Sequence, residues 1–148
     1  MACLGARAYD PSVAVTKATS ALLAMTALDT TNLRISFTSP PSGRVLVRLQ
    51  GAVHGATTFP AILLGVLEGS TVIGRVAPIG GLKSTAVATA MATQEASFVV
   101  EGLSGDKVWD AAYGVETVIA ATGIKYGGPN DATANNAFGA FIFEVWEA

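Results

Sequence analysis

Residues 108–117 read Val-Trp-Asp-Ala-Ala-Tyr-Gly-Val-Glu-Thr, and this stretch decides the class of fold. Its large apolar side chains recur at every second position, which is the period of a β-strand with one buried face. Trp109 and Tyr113 fall on one face of that strand, whereas Asp110 falls on the other. The stretch therefore predicts a strand whose apolar face packs in a β-protein core.

Similar patterns occur on both sides of this strand and are separated by turn signals such as Ser39-Pro-Pro-Ser-Gly43. Further strands are predicted over residues 33–38, 45–50, 61–67, 71–76, 96–103 and 138–146. Residues 51–60 are predicted to form a loop, and residues 84–92 a loop or irregular edge strand. About seven to nine short strands without a long helix predict an antiparallel sandwich, jelly roll or small barrel.

The β pattern begins at Leu33, and residues 1–32 differ from the rest of the chain. The apolar run Ala18–Leu28 fits either a short helix or an extended segment. We therefore expect an N-terminal arm over residues 1–32 and a β-domain over residues 33–148. The apolar residues of this arm must be buried against its own domain or a neighbouring protein. They are Leu22, Leu23, Met25 and Leu28.

The composition disfavours several classes of function. The chain has 148 residues, enough for one domain with its own core, and only 14% are charged, against about 25% in an average domain. Nine basic and eleven acidic residues give a net charge of −2, so a basic surface for nucleic acid or for anionic membranes is not expected. Few charges are tolerated more easily when part of the surface lies in a permanent interface.

The N-terminal sequence predicts neither export nor membrane insertion. Arg7, Asp10 and Lys17 interrupt what would be the apolar region of a secretory signal. The run Ala18–Leu28 is shorter than the roughly 20 residues needed to span a bilayer. Cys3 is the only cysteine, so it cannot form a disulfide within the chain, and we expect a free thiol in a protein made in a reducing cytoplasm.

Five stretches carry a resemblance to a known family. They are residues 33–48 (Leu-Arg-Ile-Ser-Phe-Thr-Ser-Pro-Pro-Ser-Gly-Arg-Val-Leu-Val-Arg), 96–105 (Ala-Ser-Phe-Val-Val-Glu-Gly-Leu-Ser-Gly), 108–115, 126–131 (Tyr-Gly-Gly-Pro-Asn-Asp) and 138–148 (Phe-Gly-Ala-Phe-Ile-Phe-Glu-Val-Trp-Glu-Ala). Together they resemble small jelly-roll proteins encoded in the structural gene clusters of tailed bacteriophages, especially phages of actinobacteria. The layout also resembles the trimeric tumour-necrosis-factor-like jelly roll with its aromatic closing strand.

The resemblance covers about residues 30–148 and implies an all-β, antiparallel jelly-roll sandwich that assembles as a homotrimer. It implies a non-enzymatic virion structural protein, either a capsid decoration or minor capsid protein that stabilises the particle surface. The alternative is a minor tail protein or a tail-tip module that binds a receptor or glycan. The expected partners are further copies of the chain, the major capsid protein or other virion proteins, and possible host-surface glycans; the expected location is the virion.

The sequence predicts no catalytic, metal or cofactor site. His54 is the only histidine and no Gly-x-Ser-x-Gly motif occurs, so a hydrolytic triad is not expected. One histidine and one cysteine leave a zinc site without its usual ligands. Residues 80–85 (Gly-Gly-Leu-Lys-Ser-Thr) lack the Gly-Lys-Ser/Thr order of a phosphate-binding loop.

Two binding alternatives stay open at this point. Four polar residues offer oxygen ligands to calcium, although only one carries a charge. They are Asn130, Asp131, Asn135 and Asn136. Tyr126, with Trp109 or Tyr113, offers aromatic surface for a sugar. We favour the interpretation that Trp109 and Tyr113 pack in the core or at a trimer axis, and that the closing strand packs in the core through Phe141, Phe143 and Val145.

Overall fold

The computed structural model describes residues 1–11, 15–17, 24–55, 62–76, 91–115, 124–126 and 140–148. The described residues form eleven β-strands and no helix, so this part of the chain has no helix able to cross a membrane. The strands are β1 (Cys3–Tyr9), β2 (Val15–Lys17), β3 (Met25–Ala27), β4 (Arg34–Thr38), β5 (Val45–Gly55), β6 (Ile62–Glu68), β7 (Thr71–Val76), β8 (Met91–Val100), β9 (Asp106–Val115), β10 (Ile124–Tyr126) and β11 (Phe141–Glu147).

The strands form two antiparallel sheets, which pack face to face. The first sheet has the order β1-β11-β5-β8, and the short strands β10 and β2 continue it beside the far half of β5. The second sheet has the order β4-β9-β6-β7, with β3 following β4 along the same side of β9. In chain order, β1, β4, β5 and β6 lie in the first, second, first and second sheet. The next four longer strands, β7, β8, β9 and β11, lie in the second, first, second and first sheet. This alternation is the jelly-roll topology, and the predicted all-β antiparallel sandwich is confirmed.

The core lies between the two sheets and is built from the inward faces that the alternation predicted. Trp109 and Tyr113 of β9 are fully buried, and the Trp109 ring packs edge-on against Phe37 with 4.9 Å between ring centroids. In β11, Phe141, Phe143 and Val145 are fully buried, whereas Ile142, Glu144 and Trp146 are partly exposed. The core assignment of Phe141, Phe143 and Val145 is therefore confirmed.

Two strands are longer than predicted. Strand β5 continues to Gly55, although residues 51–60 were expected to form a loop; those described, 51–55, are strand. Gly51 fits there because a side chain at this position would meet the Phe141 ring, so the glycine serves close packing instead of a turn. Strand β8 begins at Met91 instead of Ala96, because its first residues pair with the far half of β5.

The first 32 residues contribute strands to both sheets. Strand β1 pairs with β11, β2 pairs with β10, and β3 pairs with β9. Within the run predicted as helix or extended segment, residues 25–27 are extended. Leu28 is buried in the core of its own domain, and its backbone N–H donates to the Ala111 carbonyl at 2.8 Å. Leu22 and Leu23 lie outside the described residues.

Candidate functional site

The residues considered for chemistry are not gathered into a reactive centre in the described part of the chain. His54 lies on β5, where its backbone is paired with Lys125 of β10 and Met91 of β8. No group of three or more histidine, cysteine or acidic residues there is placed to hold a metal ion. The glycine-rich stretch 80–85 lies outside the described residues. So do the four residues considered for calcium, Asn130, Asp131, Asn135 and Asn136.

The three aromatic residues considered for sugar stacking are buried. Trp109, Tyr113 and Tyr126 have no exposed surface, so a ligand on the surface cannot stack on any of them. The Tyr126 hydroxyl donates to the Leu28 carbonyl at 3.2 Å, and burial raises the pKa of this phenol above its ordinary value. The sugar-stacking role is therefore wrong for these residues, and the packing interpretation holds for the core.

A different aromatic residue lies on the outer face of the first sheet. Trp146 of β11 is partly exposed and lies directly beside Leu46 of β5. The next outward pair along the same two strands is Glu144 with Arg48, and the third is Ile142 with Gln50. These three pairs form one continuous surface over the two middle strands of the sheet.

Charged groups hold the Trp146 side chain on this surface. The indole Nε1 donates to Glu144 Oε2 at 3.3 Å, and Nη1 of Arg48 donates to the same oxygen at 3.3 Å. Nη2 of Arg48 lies 3.6 Å from Oε1 of Glu95 on β8. One guanidinium therefore lies between two carboxylates, with Glu144 on the indole side and Glu95 beside Gln50 in the row of Ile142.

Two adjoining depressions follow these pairs. One has a volume of about 80 Å³ and is lined by Arg48, Gln50, Ile142 and Glu144. The other has a volume of about 220 Å³ and is lined by Met1, Leu46, Arg48 and Trp146. Arg48 lines both depressions, and we call the two together the outer trough. Its mixture of aromatic, amide and charged groups suits a ligand with both apolar and hydrogen-bonding faces.

Part of the signal for this trough is present in the sequence. The predicted burial of Phe141, Phe143 and Val145 implies that Ile142, Glu144 and Trp146 face outward. The missing information was which strand lies beside them. Arg48 and Glu144 are far apart in the sequence, and only the jelly-roll topology makes them neighbours.

A second surface lies at one side of the sandwich, where β7 of the second sheet packs against β8 of the first. The Phe98 ring covers Gly74 at this contact, because the glycine leaves room for it. Among the described strands, β7 pairs only with β6 and β8 only with β5. Val72 and Val99 are 40% and 48% exposed on these two strands. We call this surface the β7–β8 edge.

Comparison with known proteins gives no family. No protein-family model matches the sequence, and no curated protein matches it. Similar solved structures include a carbohydrate-binding module of Cellvibrio mixtus lichenase 5A in complex with cellotriose, at 12% identity and a TM-score of 0.40 over 99% of each chain. Another is the carbohydrate-binding module of Cellvibrio japonicus Abf62, at 10% identity and a TM-score of 0.33 over 97% of this chain and 93% of that chain. Identities and TM-scores this low carry no information on function.

Proposed function

We propose that the protein is a non-enzymatic virion structural protein of a tailed bacteriophage, which assembles as a homotrimer and adds contact area to the capsid surface. A position as a minor tail protein is the alternative within the same class. In either place the protein binds to other virion proteins and stabilises the assembled particle through those contacts, without a chemical step.

The observation that carries this proposal is the β7–β8 edge. Monomeric β-proteins protect the open edges of their sheets, often with charged side chains, because an unprotected edge pairs with other chains. Strands β7 and β8 carry only Arg75 and Glu95 as charged residues. The same two strands expose Val72 and Val99 to solvent. A neighbouring copy that covers this edge removes both valines from water.

The low overall charge supports the same interpretation. With 14% charged residues, the surface has few groups that keep copies apart. The β7–β8 edge would meet a different surface of the next copy, and such a head-to-tail contact closes into a ring when the rotation allows it. The family resemblance implies that the ring has three members.

The test is the oligomeric state of the purified protein, measured by light scattering and mass photometry. We expect a trimer for the wild type and a monomer for Val72→Lys, because the new charge would have to be buried in the interface. Val99→Lys is a second variant with the same expected result. Val108→Lys is the matched control, since Val108 is 44% exposed but lies on β9, away from this edge.

A wild-type protein that is monomeric at micromolar concentration would contradict the assembly. The virion role is tested separately, by imaging phage particles assembled with and without this protein. We expect additional density on the capsid, or on the tail for the alternative. Particles that carry no copy of the protein would contradict the structural role.

The second candidate function is glycan binding at the tail tip, and one observation favours it. The outer trough places the Trp146 indole beside the Glu144 carboxylate and the Arg48 guanidinium, and the Gln50 amide lies in the next outward row of the same surface. An aromatic ring beside planar hydrogen-bonding groups is chemistry that suits a sugar.

A further inference from the structure

We propose that the outer trough binds a neutral pyranose chain, with Trp146 as the stacking surface. The inference rests on the glycan-binding candidate and deepens it, because it assigns the surface, the residues and the charge class of the sugar. The trough residues lie on β5, β11 and the N-terminal segment, and the trough adjoins the β7–β8 edge at β8, where Val99 is paired with Leu46.

The Trp146 indole is already held in position before a sugar stacks on it. The hydrogen bond from its Nε1 to Glu144 fixes the ring, while the ring body lines the larger depression together with Leu46 and Met1. A pyranose has an apolar face of C–H groups that packs on an aromatic ring. Because the ring is already held in place, less side-chain entropy is lost when the ligand binds.

Hydrogen-bonding groups follow the indole along the strands. Glu144 and Arg48 lie in the next outward row, and Gln50 lies in the row after it. Successive outward rows are about 7 Å apart along a strand, so the three rows extend over roughly 14 Å. A surface of that length suits a short chain of sugars better than a single ring, with hydroxyl groups reaching the polar rows.

The charges select the class of ligand. Arg48 lies between Glu144 and Glu95, so the polar part of the trough is negative by one charge. Phosphate, sulfate and uronate groups therefore find no unpaired basic side chain among the residues that line the trough, whereas a neutral ligand needs none. A second copy of the chain is disfavoured as the occupant, because packing two such surfaces together would desolvate the ion pairs.

A peptide is also a poor occupant. Strands β5 and β11 are the middle strands of the first sheet and are paired on both sides along the trough. Their backbone groups are therefore not available for strand addition, which is the usual way a peptide binds to a sheet. The ligand must be recognised by side chains alone, and these side chains suit hydroxyl groups.

The test is a titration of the untagged protein with neutral gluco-, manno- and galacto-oligosaccharides, using an anionic oligogalacturonate as the contrasting probe. The chain has two tryptophans, and Trp109 is fully buried. A change in tryptophan fluorescence, or in one of the two indole N–H resonances, therefore reports on Trp146. We expect at least one neutral series to bind and the anionic probe not to bind.

Trp146→Ala should weaken binding by about tenfold or more, and Trp146→Phe by less because it keeps an aromatic face. Gln50→Ala should weaken binding while leaving the indole in place. Val108→Ala is the control and should bind as the wild type does. Unchanged thermal unfolding shows that each variant is folded.

No binding of any neutral series at millimolar concentration would overturn the inference. Equal binding by Trp146→Ala, or binding of the anionic probe alone, would overturn it as well. Oligomeric state is measured on the same samples, with Val72→Lys included, which should bind the sugar normally. If the wild type is a trimer that binds no sugar, only the sugar-binding inference is contradicted. If the wild type is a monomer that binds sugar, only the proposed assembly is contradicted.

Discussion

At position 51 the chain needs a residue without a side chain, because the Phe141 ring occupies the space that a methyl group would fill. We expect Gly51→Ala to lower the free energy of unfolding by about 1–3 kcal/mol, as overpacking of a filled core does. Urea unfolding followed by circular dichroism measures the change. The double variant Gly51→Ala with Phe141→Leu should recover part of the loss, and an unchanged midpoint for the single variant would contradict the packing explanation.

Single residues also show where reasoning from sequence stops. Gly51 fits a loop composition, and its actual role depends on Phe141, a residue distant in the chain. Asp110 falls on the face of β9 away from the core, yet it is only 3% exposed. Arg34 of β4 holds its carboxylate with two hydrogen bonds of 2.7 and 2.8 Å. Neither contact is visible until the strand pairing is known.

Tyr126 makes stability depend on pH in the alkaline range. Burial, with smaller contributions from Asp29 and Tyr9, raises the pKa of its phenol, so the folded protein keeps a proton that the unfolded chain loses. Its contribution is complete below about pH 10, the ordinary pKa of tyrosine, and is lost as the pH rises further. We expect the free energy of unfolding to fall steadily as the pH is raised above about 10.

Tyr126→Phe provides the comparison for this pH dependence. The variant should be less stable at neutral pH by about 1 kcal/mol, because the hydrogen bond to Leu28 is lost. Its stability should fall less steeply above pH 10, and burial of Tyr113, which also raises a phenol pKa, should account for part of the remaining slope. Urea unfolding at a series of pH values measures both effects, and equal slopes would contradict the assignment to Tyr126.

At the scale of elements, β8 carries an unusual inward residue. Gln94 is fully buried, and neither its Oε1 nor its Nε2 has a hydrogen-bond partner among the described residues. Because unpaired buried polar groups cost free energy, Gln94→Met should raise the free energy of unfolding by about 1–3 kcal/mol. Chemical unfolding of the two proteins checks this prediction. A destabilised variant would mean that the amide makes a contact beyond the described residues.

The elements that could be predicted are those whose alternation is strong. Strands β4, β9 and β11 were located from their apolar period, β6 from its continuous apolar run and β7 as its hairpin partner, and their described ends lie within a few residues of the prediction. The three-residue strands β2, β3 and β10 carry too few positions for a period. They are strands because longer neighbours pair with them, as β9 does with Met25–Ala27.

The outer trough also combines a part that could be predicted from the sequence with a part that could not. The outward direction of Trp146 follows from the alternation in the closing strand, whereas its neighbours Leu46 and Met1 depend on topology and on the course of the N-terminal segment. From the sequence, Trp109, Tyr113 and Tyr126 were the residues considered for sugar stacking, although packing was the favoured interpretation for Trp109 and Tyr113. For sugar stacking, the face of the strand on which an aromatic residue lies matters more than its presence in the sequence.

At the scale of the whole molecule, assembly predicts how stability responds to dilution. If the β7–β8 edge is covered only in the trimer, the assembled state is favoured by mass action and the unfolding temperature rises with protein concentration. We expect this dependence in the wild type and its absence in Val72→Lys. Thermal scans over a hundredfold range of concentration measure it, and a constant unfolding temperature in the wild type would contradict an interface at this edge.

The two chain ends lie side by side, and this arrangement has a mechanical consequence. Cys3 at the start of β1 is paired with Trp146 near the end of β11, and the Glu147 N–H donates to the Ala2 carbonyl at 2.8 Å. A pulling force applied through both ends would open this ladder one hydrogen bond at a time, starting where the force enters, and would not load all of its bonds together. Tension applied at residues 3 and 146 therefore meets the hydrogen bonds of this ladder singly, and each one that opens passes the load to the next.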